Sequence, residues 1–303
     1  MKQLTPKVTY HRQKLLLALL QSFGGELKNI DLQKYLFLFT QLCQQEKSYE
    51  FVPFKYGCFS FQSYADRKRM IELGAISANT DYWQLDPASD YLSLLQEGER
   101  KKLTEFNKRY SNLKGDALVR EVYVQYPYYA INSEIAPRLL TPNELEKVAQ
   151  ARPAENAPCF FTIGYEGKSF EHYLNQLIRN NVKVLCDVRK NPLSRKFGFS
   201  KKALSDALSR LGIGYVHIPA LGIESEKRQE LHTQTDYNLL FDEYEKTTLR
   251  SNKDAIDQLV QVVEDKKRVA ITCFELDQCM CHRGRVAQAL ARHPQWNYEI
   301  RHL

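Results

Sequence analysis

The stretch CFFTIGYEGKSFEHYLNQLIRNNVKVLCDVRKNP, residues 159–192, decides the fold of the C-terminal half. It opens on an apolar, aromatic run, CFFTIGY, crosses a loop holding Gly164 and Gly167, continues through SFEHYLNQLIRN and returns to a second run, KVLCDV. Short apolar runs on either side of a helix-length segment read as strand, helix, strand. The pattern continues downstream. GYVHIP, RVAITCF and NYEIRHL are strand-like, and between them lie SKKALSDALSRLG, a region over 236–264 long enough for two helices, and HRGRVAQALARH. Such alternation predicts an α/β, Rossmann-like, mostly parallel sheet with helices on both faces. In that architecture ligands sit beyond the carboxyl ends of the strands.

Upstream, AQARPAENAPC over 149–159 interrupts all hydrophobic periodicity and reads as a linker, giving two domains, 1–150 and 159–303. In the first, KLLLALLQSFGG reads as a helix stopped by Gly24 and Gly25, and DLQKYLFLFTQLCQQ as a second capped by Asp31. A third, FQSYADRKRMIELG, follows the aromatic segment FVPFKYGCF, and AISANTDYWQL offers two short β-like runs about Asn79, Thr80 and Asp81. Three helices and then a small hairpin is the order of a mainly helical winged helix-turn-helix domain. Arg67, Lys68 and Arg69 on its third helix suit phosphate contact or groove entry. The plainer alternative is a solvated helix face. Tyr123, Tyr126, Tyr128 and Tyr129 supply ring faces on which bases could stack, although an aromatic cluster more often forms a domain interface.

Composition narrows the class. Of 303 residues, 43% are hydrophobic and 26% charged, as in a soluble globular protein. No apolar run approaches the roughly 18–20 residues of a membrane span. The N-terminus has no apolar core after its charges, so a cytoplasmic location is expected. The seven cysteines are scattered, which argues for free thiols. The formal charge of +7 permits a polyanionic partner. Its distribution is more telling: Arg189, Lys190, Arg195, Lys196, Lys201 and Lys202 stand together with no acid among them. Lys196 and Lys201 are accordingly expected to contact nucleic acid.

The polar residues of interest fall at the predicted strand ends. After the first strand come Gly164 and Tyr165. Asp187 and Arg189 follow the second, then Pro192, Ser194 and Arg195; His217 ends the third; Cys273 and Glu275 end the fourth, and Cys281, His282 and Arg283 open the next helix. Each has a plainer reading: an Asp-x-Arg as a structural ion pair, a lone His217 as a hydrogen-bonded core residue, Cys186 as a small hydrophobe. Their joint placement at one sheet edge is what points to a site.

Several of these motifs recur, in order, in a known family. FFTIGYEGKSFEHYL, DVRKNPLSRKFGFSKKAL, GYVHIPALG and CFELDQCMCHRGRVAQAL resemble the domain-of-unknown-function family 488 over roughly residues 160–303. The positions that match are Gly164, Asp187, Arg189, Pro192, Ser194, His217, Leu221, Gly222, Cys273, Glu275, Cys281, His282 and Arg283. Cys279 is not part of that pattern. The N-terminal half resembles, more weakly, winged-helix segments attached to such domains. The resemblance implies a fold and a site without a reaction.

Four chemistries compete for CFELDQCMCHRGRV. Cys279-x-Cys281-His282 lacks the spacing that closes two thiolates on zinc, so neither metal nor cofactor is expected. A Cys281 thiolate would need its pKa depressed by the helix N-terminus, Arg283 and Arg285. Arg283 with Arg189 and Arg195 could grip a phosphate. Glu275 and Asp187 could act as a base or stabilise an oxocarbenium-like sugar, with Tyr165 stacking a base and His217 or His282 protonating a leaving group. Joined to a DNA-binding module, this last chemistry suggests a hydrolase acting on a flipped-out base or nucleotide, DNA base excision of the glycosylase type foremost. A nuclease or other nucleotide-processing enzyme is the next reading. A DNA-binding regulator that senses an anionic small molecule is the third. The catalytic candidates are therefore Asp187, Glu275, His282 and Cys281, and the substrate-binding ones Gly164, Tyr165, Arg189, Ser194, Arg195, His217, Cys273 and Arg283.

Overall fold

In the N-terminal sequence, Leu15, Leu16, Leu17, Ala18, Leu19 and Leu20 are buried in succession, which makes α1 (His11–Ser22) a core helix without a broad solvent face. The computed structural model describes residues 8–86, 90–224, 231 and 233–303. The chain divides into two compact units, Met1–Arg152 and Pro153–Leu303.

The first unit continues with β1 (Glu26–Lys28), α2 (Asn29–Cys43), β2 (Val52–Phe54), β3 (Gly57–Phe59), α3 (Phe61–Glu72) and β4 (Tyr82–Gln84). Then follow α4 (Glu97–Tyr110), α5 (Gly115–Gln125), the short α6 (Ala136–Leu139) and α7 (Pro142–Gln150). The unit is mostly helical, with two small antiparallel sheets, β1 with β4 and β2 with β3. Three details depart from expectation. The segment FVPFKYGCF is a hairpin between α2 and α3, turned at Lys55 and Tyr56; Gly57 opens its second strand with a φ of 91° that no bulky residue would accept, and its missing Cβ makes room for the Tyr123 ring. Asp31 is not a cap: α2 begins at Asn29, and the buried Asp31 carboxylate accepts from the Gly115 amide at 3.0 Å. The turn at Asn79 forms, its side chain accepting from the amides of Asp81 and Tyr82, but the strand beyond it pairs chiefly with β1, and Ile76 meets Leu85 only as an isolated bridge.

The second unit contains β5 (Cys159–Gly164), α8 (Phe170–Arg179), β6 (Val184–Asp187), α9 (Lys201–Arg210), β7 (Gly214–His217) and α10 (Gln234–Tyr244), which runs into a wider turn at Glu245–Leu249. After these come α11 (Lys253–Lys266), β8 (Arg268–Cys273), α12 (His282–Ala291) and β9 (Glu299–His302). The five strands form one sheet in the order β7-β6-β8-β5-β9, every pairing parallel. Every residue of β5, β6 and β8 is buried, as both-face coverage of a parallel sheet demands.

The strand order fixes where a ligand can enter. The first two crossovers step toward the β7 edge and the last two toward the β9 edge. Right-handed crossovers then place α8 and α9 on one face and the later helices on the other. Side chains agree: Phe160, Cys186, Val269 and Ile271 pack with residues of α11 and α12, while Tyr173 of α8 donates to Thr272 from the opposite face at 2.8 Å. The chain reverses its direction of winding around β8, so the crevice lies at the carboxyl ends of β6, β8 and β5. There Asp187 stands level with His217 and Thr272, and Gly164 with Cys273.

Candidate functional site

At the end of β6, Asp187 is fully buried. It receives Arg189 in a two-pronged contact, Nε to Oδ1 at 2.8 Å and a terminal nitrogen to Oδ2 at 2.5 Å, and Tyr215 donates its hydroxyl to Oδ2 at 2.7 Å. The other prong of Arg189 reaches the Tyr165 hydroxyl at 3.0 Å and the Phe199 carbonyl at 2.9 Å. Burial works against the Arg189 charge, but the Asp187 carboxylate outweighs it and holds the guanidinium protonated. The substrate role expected of Arg189 and the catalytic role expected of Asp187 give way to an internal ion pair. Tyr165 cannot stack a base either. It is buried, and its ring lies flat on Phe199 at 4.3 Å and edge-on to Phe274 at 5.3 Å.

Around β8 a second group forms. Cys273 Sγ lies 3.2 Å from Glu275 Oε2 and 3.5 Å from His282 Nδ1, and Cys281 Sγ is 4.0 Å from the same nitrogen. His282 Nε2 meets the Val188 carbonyl at 3.1 Å, tying α12 to the end of β6. Cys273, Cys281 and His282 are all buried. Burial, the Cys273 hydrogen bond and nearby negative charge push the Cys281 thiol up, and Arg283 opposes them without prevailing. The activated thiolate expected of Cys281 is therefore not what this environment favours. Arg283 is buried as well and donates to the carbonyls of Glu275 and, at 2.7 Å, of Leu276. It braces the loop after β8 instead of gripping a phosphate. Gly164 serves the same loop: a Cβ there would stand 1.8 Å from the Glu275 carbonyl oxygen, so its smallness answers to this chain and not to a ligand. Cys279 is exposed, and Arg285 pairs with Glu245 at 2.8 Å.

Open space lies beside these groups. A cavity of about 680 Å³, ample for one nucleotide, is lined by Lys190, His217, Gly222, Glu243, Tyr244 and Thr248, among others. Glu275 and Arg283 are not among its lining residues. Tyr244 forms the partition: it faces the cavity and meets the His282 ring edge-on at 5.8 Å. His217 Nε2 is 2.9 Å from the Arg189 carbonyl, so that nitrogen carries the proton, and Nδ1 accepts from Lys201 at 3.1 Å. The loop over 190–200 runs from the cavity wall outward. Its Leu193 is 89% exposed and its Phe197 40%, flanked by exposed Arg195 and by Lys196, which donates to the Tyr165 carbonyl at 2.7 Å. Ser194 accepts from the Lys196 amide at 3.2 Å and shapes this loop.

Residues 169–290 match the family described as Domain of unknown function DUF488. Neither curated proteins nor solved structures give a match. The DUF488 stretch holds the Asp187–Arg189 pair, the basic loop, the cavity wall and the cysteine–histidine group. β5, with Gly164 and Tyr165, precedes it, and β9 follows it.

Outside the DUF488 stretch, the phosphate role expected of Arg67 also gives way. Its guanidinium is mostly buried, donates to the Asn79 and Tyr82 carbonyls and to Asn29, and lies 4.9 Å over the Trp83 ring. It locks α3 to β4. Lys68 and Arg69 are exposed, Arg69 pairing with Glu72 at 3.0 Å. Tyr126 and Tyr129 pack edge-on against Phe37 inside the first unit, at 5.0 and 4.5 Å, so these rings serve an internal core and not bases. No helix among the described residues is long and apolar enough to cross a membrane.

The convergence of Cys273 with Cys281 and His282 is what sequence alone missed. Metal-like spacing is sought within one short run, and here one donor ends a strand while the others open a helix. The available signal was the placement of both at one sheet edge.

Proposed function

We propose that the C-terminal unit is a nucleic-acid-directed enzyme that takes one nucleotide of DNA into the cavity beside the β6 and β7 ends and cleaves its N-glycosidic bond. The observation that carries this reading is the loop over 190–200. It shares Lys190 and Asn191 with the cavity, bears Arg195 and Lys196, leads into Lys201 at the start of α9, and projects Leu193 at 89% exposure. A basic loop with an apolar tip suits a duplex being opened, the cations meeting phosphates and the tip filling the gap a flipped nucleotide leaves. Glu243 supplies the cavity with a carboxylate, the group that stabilises a sugar cation and directs water to it. Asp187, Arg189 and His217 serve beneath as the frame of the cavity floor. DNA contact is assigned to this loop in preference to α3, whose Arg67 is engaged internally.

The test is incubation of the full chain with labelled DNA carrying ordinary and modified bases, followed by mass spectrometry and alkali treatment. Free base and alkali-labile sites are expected, with Glu243→Gln slowing release at least about 100-fold while DNA affinity is kept. Metal-dependent strand breaks without alkali would replace this reading with a nuclease. Stabilisation by nucleotides with no product would replace it with a ligand-sensing regulator.

A further inference from the structure

We propose that Cys273, Cys281 and His282 hold a zinc ion that ties the end of β8 to the start of α12. The inference stands apart from the base-excision reading, since it rests on the donor atoms alone. A tetrahedral zinc with bonds of about 2.3 Å to sulfur and about 2.0 Å to nitrogen or oxygen sets its donors about 3.4–3.8 Å apart. The sulfur and nitrogen atoms of Cys273, Cys281 and His282 all lie within 4.8 Å of one another, with the two sulfurs 3.5 and 4.0 Å from His282 Nδ1. Glu275 Oε2, 3.2 Å from Cys273 Sγ, stands beside this group of three and not within it. The two sulfur–nitrogen edges, 3.5 and 4.0 Å, stand within about half an ångström of those of a zinc tetrahedron.

The histidine is preset for this task. A carbonyl only accepts, so Nε2 of His282, 3.1 Å from the Val188 carbonyl, bears the ring proton. The lone pair of Nδ1 is thereby left facing both sulfurs. A carbonyl that fixes tautomer and ring angle in this way is the usual support of a metal-bound histidine. Charge fits as well: two thiolates balance a divalent cation, and Arg283, its guanidinium on the Glu275 and Leu276 carbonyls, lies buried alongside the neighbouring Glu275 carboxylate. Two soft thiolates with an imidazole select zinc over the oxygen-loving cations. A Cys–His nucleophile is the poorer use of the group, because Cys273 and Cys281 are each only 1% exposed and no substrate reaches them.

Elemental analysis of the full chain, purified without chelator, tests the site. About one zinc per chain is expected, and the metal-free chain should take up cobalt(II) with the strong visible bands of a tetrahedral centre and a thiolate charge-transfer band. Cys281→Ser should lower zinc content at least about tenfold, and Glu275→Gln should keep the charge-transfer band while weakening retention against a chelator about tenfold. Should the serine variant not fold, the wild-type cobalt spectrum decides alone. The proposal is overturned if the reduced wild-type chain binds neither zinc nor cobalt(II), or if the cobalt(II) it binds shows no thiolate charge-transfer band.

Discussion

Asp187 and Arg189 show how far a residue's charge can mislead about its duty. Sequence places both at a strand end where ligands bind, and cannot reveal that each is the other's partner, with Tyr165, Phe199 and Tyr215 completing the set. Breaking a buried ion pair by removing one member costs about 3–5 kcal/mol. Asp187→Asn should therefore lower the urea-unfolding free energy by a large part of that amount, and a variant of full stability would return Asp187 to the catalytic candidates. Lys168 carries the clearest pH signature. Burial, and then the Arg283 charge, lower its pKa to about 8 from an ordinary 10.5. Between those values the unfolded chain binds the extra proton, so stability rises with pH across that window and the loss is fully present below about 8. The difference in melting temperature between wild type and Lys168→Met should change across this window and level off at lower pH. A flat difference would mean that the ammonium is better solvated than its surroundings indicate.

At the scale of elements, legibility followed burial. β5, β6 and β8 are covered on both faces, so their sequences are continuous apolar runs and read as strands without help. The hairpin of β2 and β3 has three residues a side and includes Pro53, which gives no alternation to detect. The helices α1 and α2 were legible because their apolar runs are long, whereas the start of α2 was not, since Asp31 faces the Gly115 amide from the first turn. The loop between β8 and α12 depends on the close approach at Gly164. Gly164→Ala would drive a methyl group into the Glu275 carbonyl, and the shift should cost about 1–3 kcal/mol, read as a lower denaturation midpoint. An unchanged midpoint would show that the loop yields freely.

On the scale of the whole molecule, the shift in composition near 149–159 and the split of the chain into Met1–Arg152 and Pro153–Leu303 speak of two separately organised units. The second has its own sheet and its own core, reaching from Phe160 to Leu290. Expressed alone, residues 153–303 should unfold in one cooperative transition with a fixed near-ultraviolet signature; a broad, featureless transition would show that the core is incomplete. Function was only partly legible at this scale. The basic run over 189–202 could be read as a partner-binding feature, but its split into a buried Arg189 and an outward loop tipped by Leu193 is a matter of packing. If that loop meets DNA, Arg195→Ala should reduce the slope of log affinity against log salt by about one.

Photocross-linking tests the central claim most directly. Duplex DNA bearing a photoreactive base at one position would be bound to the full chain, irradiated and mapped by peptide mass spectrometry. Attachment within 190–202 and within the cavity wall over 240–252 is the result predicted. Attachment confined to α3 of the first unit, or none in the second unit at saturating DNA, would contradict the account.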